Sequence, residues 1–236
     1  IPYAIFLILF VVIPLLLVIF YAFTDEAGRF SLQNVVTFFS NSTNLNTFVI
    51  SILIGIANTA ICLLIGYPVA MILAKKEYKF SGVFVLLFVM PMWINFVLRT
   101  AATRDLLFWL GISGGQQPYL ATMIGMVYNY LPFVILPLYT TMLKMDKSQI
   151  EASMDLGATP MYALRKVILP QIKPGIISGF LIAFTMSIDD FIISFFNTGN
   201  GVSNLSIEIY GMARRGIKPE INALSTIMFA VVLGLL

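Results

Sequence analysis

Apolar runs long enough to cross a bilayer recur along this chain with only short polar connections between them. No other feature restricts the fold as much. A hydrocarbon core of ~30 Å takes about 20 apolar residues in helix. Six segments meet or approach that length: residues 2–23, 47–74, 81–98, 119–143, 174–196 and 220–236. The third is short as written and reaches about twenty residues if it runs on to Ala102. The runs are unbroken rather than alternating with period two, which argues against a β-barrel. Pro14, Pro68, Pro91, Pro132 and Pro137 fall inside them, and in membrane helices proline kinks rather than terminates. The expected fold is an all-α membrane protein with six transmembrane helices, forming a single domain over 1–236. The first segment lacks a small-residue cleavage site and is too long for a signal-peptide core, so it reads as a retained span. Ile1 in place of a methionine, and an apolar run cut at Leu236, predict further residues at both ends.

Composition narrows the function classes. Hydrophobic residues make up 59% of the 236 and charged residues 11%, whereas soluble domains carry about a quarter charged. Histidine is absent and Cys62 is the only cysteine. The usual zinc ligand, the usual neutral-pH base and any intrachain disulfide are thereby removed. A net charge of +3 is too small to imply a nucleic-acid partner. A phosphate-binding loop needs a Gly-Lys pair, and the sequence has none. The serine-hydrolase pattern G-x-S-x-G occurs once, as GISGG around Ser113, without a preceding strand or a histidine to act as base. It reads as a turn. The chain is expected neither to be an enzyme nor to carry a cofactor or metal of its own.

Basic residues give the orientation. Lys75, Lys76 and Lys79 follow the second segment, and Lys144, Lys147, Arg165, Lys166 and Lys173 follow the fourth. They outnumber Arg29, Arg99, Arg104, Arg214, Arg215 and Lys218 on the opposite side. By the positive-inside rule the connections after segments two and four face the cytoplasm. Three outer connections carry short helical patterns: SLQNVVTFF with Ser31 as cap, RDLLFWLG ending at Gly111, and LSIEIYGMARRG ending at Gly216. They close the outer ends of the spans or form a rim for an extracytoplasmic partner.

The connection after segment four is the most informative. Ser148-Gln-Ile-Glu151 predicts a capping box. The helix it starts carries Ile150 and Met154 on one stripe, with Glu151 and Asp155 beside them near the positive end of the dipole. Gly157 ends that helix, and Thr159-Pro160 starts another as cap and first residue. Met161, Leu164 and Ile168 form its apolar stripe, with Arg165 and Lys166 near its end and Pro170 and Pro174 stopping it. Helices this short need tertiary support. Periodicity alone leaves two destinations for their oily faces, the membrane surface or a partner protein.

EASMDLGATPMYALRKVILP resembles the EAA loop of ABC-importer permeases, matching at Glu151, Ala152, Gly157, Leu169 and Pro170. It departs at Ser153, where the family has alanine, and at Val167, where it has isoleucine. The resemblance extends along the chain. LLIGYPVAMILAK, MPMWINFVLRT and YNYLPFVILPLYTTMLKMDKSQIEASMDLGAT look like the spermidine/putrescine class of these permeases. TMSIDDFIISFFNTG and EIYGMARRGIKPEINALSTI look closer to the partner permease of that class. The resemblance implies a type I ABC importer permease fold in a bacterial inner membrane, with 144–173 as a cytoplasmic coupling loop. It implies an ATPase contact at Glu151, Ala152, Asp155, Gly157 and Arg165. The implied partners are an ATP-binding subunit dimer holding ATP and Mg, a second homologous permease, an extracytoplasmic substrate-binding protein and the lipid bilayer. The implied solute is a polyamine.

Candidate pathway residues lie within the spans. Asp189 and Asp190 fall about fifteen residues into segment five, roughly 22 Å along a helix, in the outer half. Intramembrane carboxylates face a water-filled path or a cation, snorkel to the interface, or pair internally, here with Arg99. Neighbours on a helix diverge by about 100°, so at most one of the two points into a path. Trp93, Asn95, Tyr128, Asn129 and Tyr130 add aromatic and amide groups; the aromatic faces attract organic cations, or the residues serve as interface anchors and interhelical hydrogen bonders. The rival readings are an ABC importer permease for another small solute and an ion-coupled secondary transporter with Asp189 or Asp190 as its proton or cation site.

Overall fold

A computed structural model of the chain describes residues 2–25, 28–74, 81–199, 203–215 and 219–235. Lys75, Lys76, Lys79, Gly216 and Lys218, used above for orientation and helix ends, lie outside the described residues. Those residues are overwhelmingly helical, and the β-structure among them is an isolated bridge between Thr24 and Phe30. Helices long and apolar enough to span a membrane are α1 (Pro2–Ala22), α3 (Ser42–Leu73), α6 (Pro118–Leu143) and α8 (Pro160–Ile188). A fifth span is made if the bent pair α4 (Ser81–Trp93) and α5 (Phe96–Trp109) is counted as one. The shorter helices are α2 (Gln33–Ser40), α7 (Lys147–Asp155), α9 (Ile192–Asn197), α10 (Leu205–Arg215) and α11 (Pro219–Leu235).

The chain divides into two compact units. The first comprises residues 1–51 and 203–236. Here α11 packs on α1 and α2, around Phe38, Leu205 and Leu224, with Leu45, Phe48, Ile209, Ile227 and Met228 at the margin. Leu205 N, an orphan donor at a helix start, gives its hydrogen bond to Ser51 Oγ at 2.8 Å. Ser31 does not cap α2 from the preceding position. Leu32 stands there, and Ser31 Oγ accepts from Gln33 N at 3.1 Å.

The second unit comprises residues 52–202. Its most extensive packing is between α6 and α8. Between apolar helices in lipid, close approach rests on small residues rather than on a hydrophobic drive. Gly175 of α8 is the tightest such point. A Cβ there would lie 2.7 Å from Thr141 Oγ1 and 2.9 Å from the Pro137 carbonyl.

Three expectations are corrected. The third span does not run straight on: it bends by 100° at Ile94–Asn95. Pro91 lies in a 3₁₀ turn, Ile94 is extended, and Asn95 Oδ1 then caps a new helix by accepting from Val97 N and Leu98 N. RDLLFWLG is therefore the end of that second arm and not a separate helix. Pro170 and Pro174 do not stop the helix that begins at Pro160. A π turn over Leu164–Ile168 closes from Leu169 N to Leu164 O just before Pro170. The wider turn absorbs the missing N–H and the ring, so the helix continues. The same device precedes Pro14, with a π turn over Ile8–Val12.

Candidate functional site

Two polar regions interrupt the apolar helices, and both contain the predicted residues. The first is the segment 144–173. Its opening cap is Asp146 rather than Ser148: the Asp146 carboxylate accepts from Ser148 N at 3.0 Å and from Ser148 Oγ at 2.8 Å. A carboxylate two residues upstream competes successfully for the serine, because it takes both the orphan amide and the hydroxyl. At the other end Ala158 N bonds Ser153 O and Gly157 N bonds Met154 O, a Schellman closure. It requires the left-handed backbone found at Gly157, φ +84°. Thr159 Oγ1 then accepts from Tyr162 N, and Pro160 opens α8 as expected.

Glu151, Ala152, Asp155, Gly157 and Arg165 are all exposed. So are Met154, Met161, Tyr162 and above all Leu156, which is 90% exposed. Ser153, Leu156, Gly157, Ala158, Thr159 and Tyr162 line a cavity of 530 Å³ in the elbow between the two helices. The elbow is tied to the rest of α8 by Gln171 Nε2 donating to Gln149 Oε1 at 3.0 Å.

The second region gathers at the breaks in the spans of the second unit. Asp189 and Asp190 follow the last residue of α8, and their environments differ. Asp189 is exposed, whereas Asp190 is buried. Asp190 Oδ1 accepts from Tyr130 Oη at 2.9 Å and Ile193 N at 3.1 Å. Its Oδ2 accepts from Ser194 N at 2.7 Å and Ser194 Oγ at 2.8 Å. The carboxylate thus satisfies the first amides of α9, where helix N–H groups otherwise lack partners.

Arg99 does not pair with either aspartate. It is buried, donates from Nε to Asn129 Oδ1 at 2.7 Å and from Nη1 to the Pro91 carbonyl, and lies over the Phe96 ring at 5.5 Å. Asn129 is held in turn by its Nδ2 donating to Gly125 O at 2.8 Å. The structure therefore brings Arg99, Asn129, Tyr130 and Asp190 together. Trp93, Tyr128 and Asp189 are exposed nearby in sequence to this cluster, while Asn95 is occupied as a cap. Sequence reasoning missed Ser194 and the role of Arg99. The usable signal was an arginine at an intramembrane position, which demands acceptors from neighbouring helices.

Long apolar helices whose polar groups collect at helix breaks and in one exposed elbow define a multi-pass membrane protein. The chain belongs to the family of binding-protein-dependent transport system inner membrane components, whose model matches residues 1–236. It is 30% identical over 220 residues to the spermidine/putrescine transport system permease protein PotB of Escherichia coli, covering 85% of this chain and 79% of that protein. Identity to the corresponding permease protein PotC of Haemophilus influenzae is 32% over 200 residues, covering 84% of this chain and 76% of that one. PotC of Escherichia coli is 30% identical over 227 residues, covering 93% and 84%. Among solved structures, a bacterial ABC transporter involved in the import of the acidic polysaccharide alginate has a chain that superposes with TM-score 0.66. That match has 17% identity and covers 100% of this chain and 90% of the other, and it speaks to the fold.

Proposed function

We propose that the chain is the permease subunit of an ATP-driven ABC importer for polyamines. Its elbow at 146–162 is the part gripped by a separate ATPase. The observation that carries this reading is an apolar, exposed elbow, rigidly capped at each turn, with a cavity in its bend. Leu156 and Tyr162 at such exposure have no reason to remain bare in water unless another surface covers them. The exposed Glu151, Asp155 and Arg165 around them supply a charged rim suited to fixing register.

The bent pair α4–α5 serves as one span and α11 as another, which makes six with α1, α3, α6 and α8. The elbow faces the cytoplasm, as the basic residues beside it favour. ATP and Mg reside on the ATPase dimer. A second permease completes the pore, and an extracytoplasmic binding protein delivers solute. Asp189 offers an exposed carboxylate at a helix break, and Trp93 and Tyr128 offer exposed rings. This combination suits a flexible organic cation, and the relatives named for spermidine and putrescine point the same way. Asp190 holds the break in place while Asp189 meets the path.

Purification from the native membrane in mild detergent tests the class. An ATPase and a second permease are expected to accompany the chain. In proteoliposomes that assembly, with its binding protein, should accumulate labelled spermidine and putrescine only when ATP is supplied. Accumulation without ATP, driven by an ion gradient, would overturn the proposal.

A further inference from the structure

Two helix breaks in the second unit are fastened to consecutive residues of α6. At the bend between α4 and α5, Arg99 reaches back to the Pro91 carbonyl on the far arm and sideways to Asn129. At the break between α8 and α9, Asp190 gathers the first amides of α9 and takes the Tyr130 hydroxyl. The fastenings also touch each other, because the Phe96 ring lies under Arg99 and stacks on Tyr130 with centroids 6.5 Å apart. A buried cation and a buried anion thus bond to adjacent residues of one helix, Arg99 to Asn129 and Asp190 to Tyr130.

Arg99 gives one of its hydrogen bonds to Asn129 of α6, and Asp190, besides the α9 groups it gathers, takes the Tyr130 hydroxyl of α6. Sliding either broken helix along α6 costs a buried charge one bond and leaves a buried polar group of α6 unsatisfied, so neither break relaxes without disturbing the shared helix. We propose that Asn129 and Tyr130 are positioning residues that bind the bend at Ile94–Asn95 and the break at Asp189–Phe191 into one body during transport. The transport part of this statement rests on the permease reading above. The mechanical part does not.

Tyr130→Phe deletes one hydroxyl and keeps the ring on Phe96. In the purified full assembly, amide exchange followed by mass spectrometry should rise at 189–198. It should rise also at 91–100, which the hydroxyl does not touch. Arg99→Lys, which keeps the charge and loses the forked geometry, should reciprocally raise exchange at 189–198. A response confined to the mutated side overturns the tie. Uptake per assembled complex should fall about tenfold in Tyr130→Phe, the effect of one hydrogen bond to a charged group. The half-saturating solute concentration should stay unchanged. A purely structural role would lower the yield of complex and leave uptake per complex at the wild-type rate, which would also overturn the proposal. Exchange is read without ATP or solute. If no ATPase accompanies the chain, the permease reading fails while the exchange data still decide the tie.

Discussion

The elbow at 146–162 and the cluster around Arg99 and Asp190 are both polar interruptions in an apolar chain, yet they are held in opposite ways. The bonds that shape the elbow are local: Asp146 to Ser148, Ser153 to Ala158, Thr159 to Tyr162. Its side chains point outward. The cluster is held by bonds across 30 residues, Arg99 to Asn129, and across 60, Tyr130 to Asp190, with every member buried. A locally stitched, exposed segment can be pushed as a unit without disturbing its own hydrogen bonds. A buried network that joins distant segments cannot lose one partner without exposing a charge to an apolar surround. On the proposed function, the elbow is the region that receives force, and the cluster is the one that keeps the helices in register.

Substitutions sharpen this contrast. The largest effect is expected from Asp190→Ala, which strands the Tyr130 hydroxyl and the amides of Ile193 and Ser194. The loss should be about 3 kcal/mol, read as a lower thermal midpoint of the purified assembly. An unchanged midpoint would break the distinction between the regions. Gly175→Val comes next, at about 2 kcal/mol, because its side chain must displace Thr141 or the Pro137 carbonyl. Gly157→Val strains the left-handed residue of the elbow by about 1 kcal/mol. The midpoint should hardly move, yet ATP hydrolysis should run on without uptake, whereas Asp190→Ala should lower the midpoint itself. Smallest is Asp146→Ala, about 1 kcal/mol of cap, visible as faster amide exchange over 147–150 with normal assembly. Should it destabilise the whole protein, the elbow is not the self-contained piece described above.

The same contrast explains what the sequence disclosed. Elements set by nearest neighbours were readable: the long apolar helices, Thr159-Pro160 as a helix start, Gly157 as a helix end. Asp146 was overlooked because Ser148 and Glu151 satisfy the capping-box spacing, and only geometry reveals which acceptor wins. Pro170 reads as a stop in the sequence because proline breaks the ordinary ladder. Nothing in composition announces that a π turn will make room for it. The bend at Asn95 was hidden by an apolar run that continues past it on both sides. The cluster was the least readable part, since no periodicity links Arg99, Asn129, Tyr130 and Asp190. The aspartate pair stands out in the sequence as two carboxylates within an apolar segment. Asp189 ends α8 as its exposed cap and Asp190 turns inward to the first amides of α9, a difference that residue type alone does not disclose.

The most direct test of the central claim is site-directed crosslinking at the elbow. Leu156→Cys puts a thiol at the most exposed point of the bend, and the native Cys62 is buried and out of reach of a bulky reagent. In the native membrane a crosslink is expected from position 156 to an ATP-hydrolysing subunit, with a yield that changes when nucleotide is bound and hydrolysed. Capture of lipid alone, together with solute accumulation by this chain reconstituted without any ATPase, would contradict it.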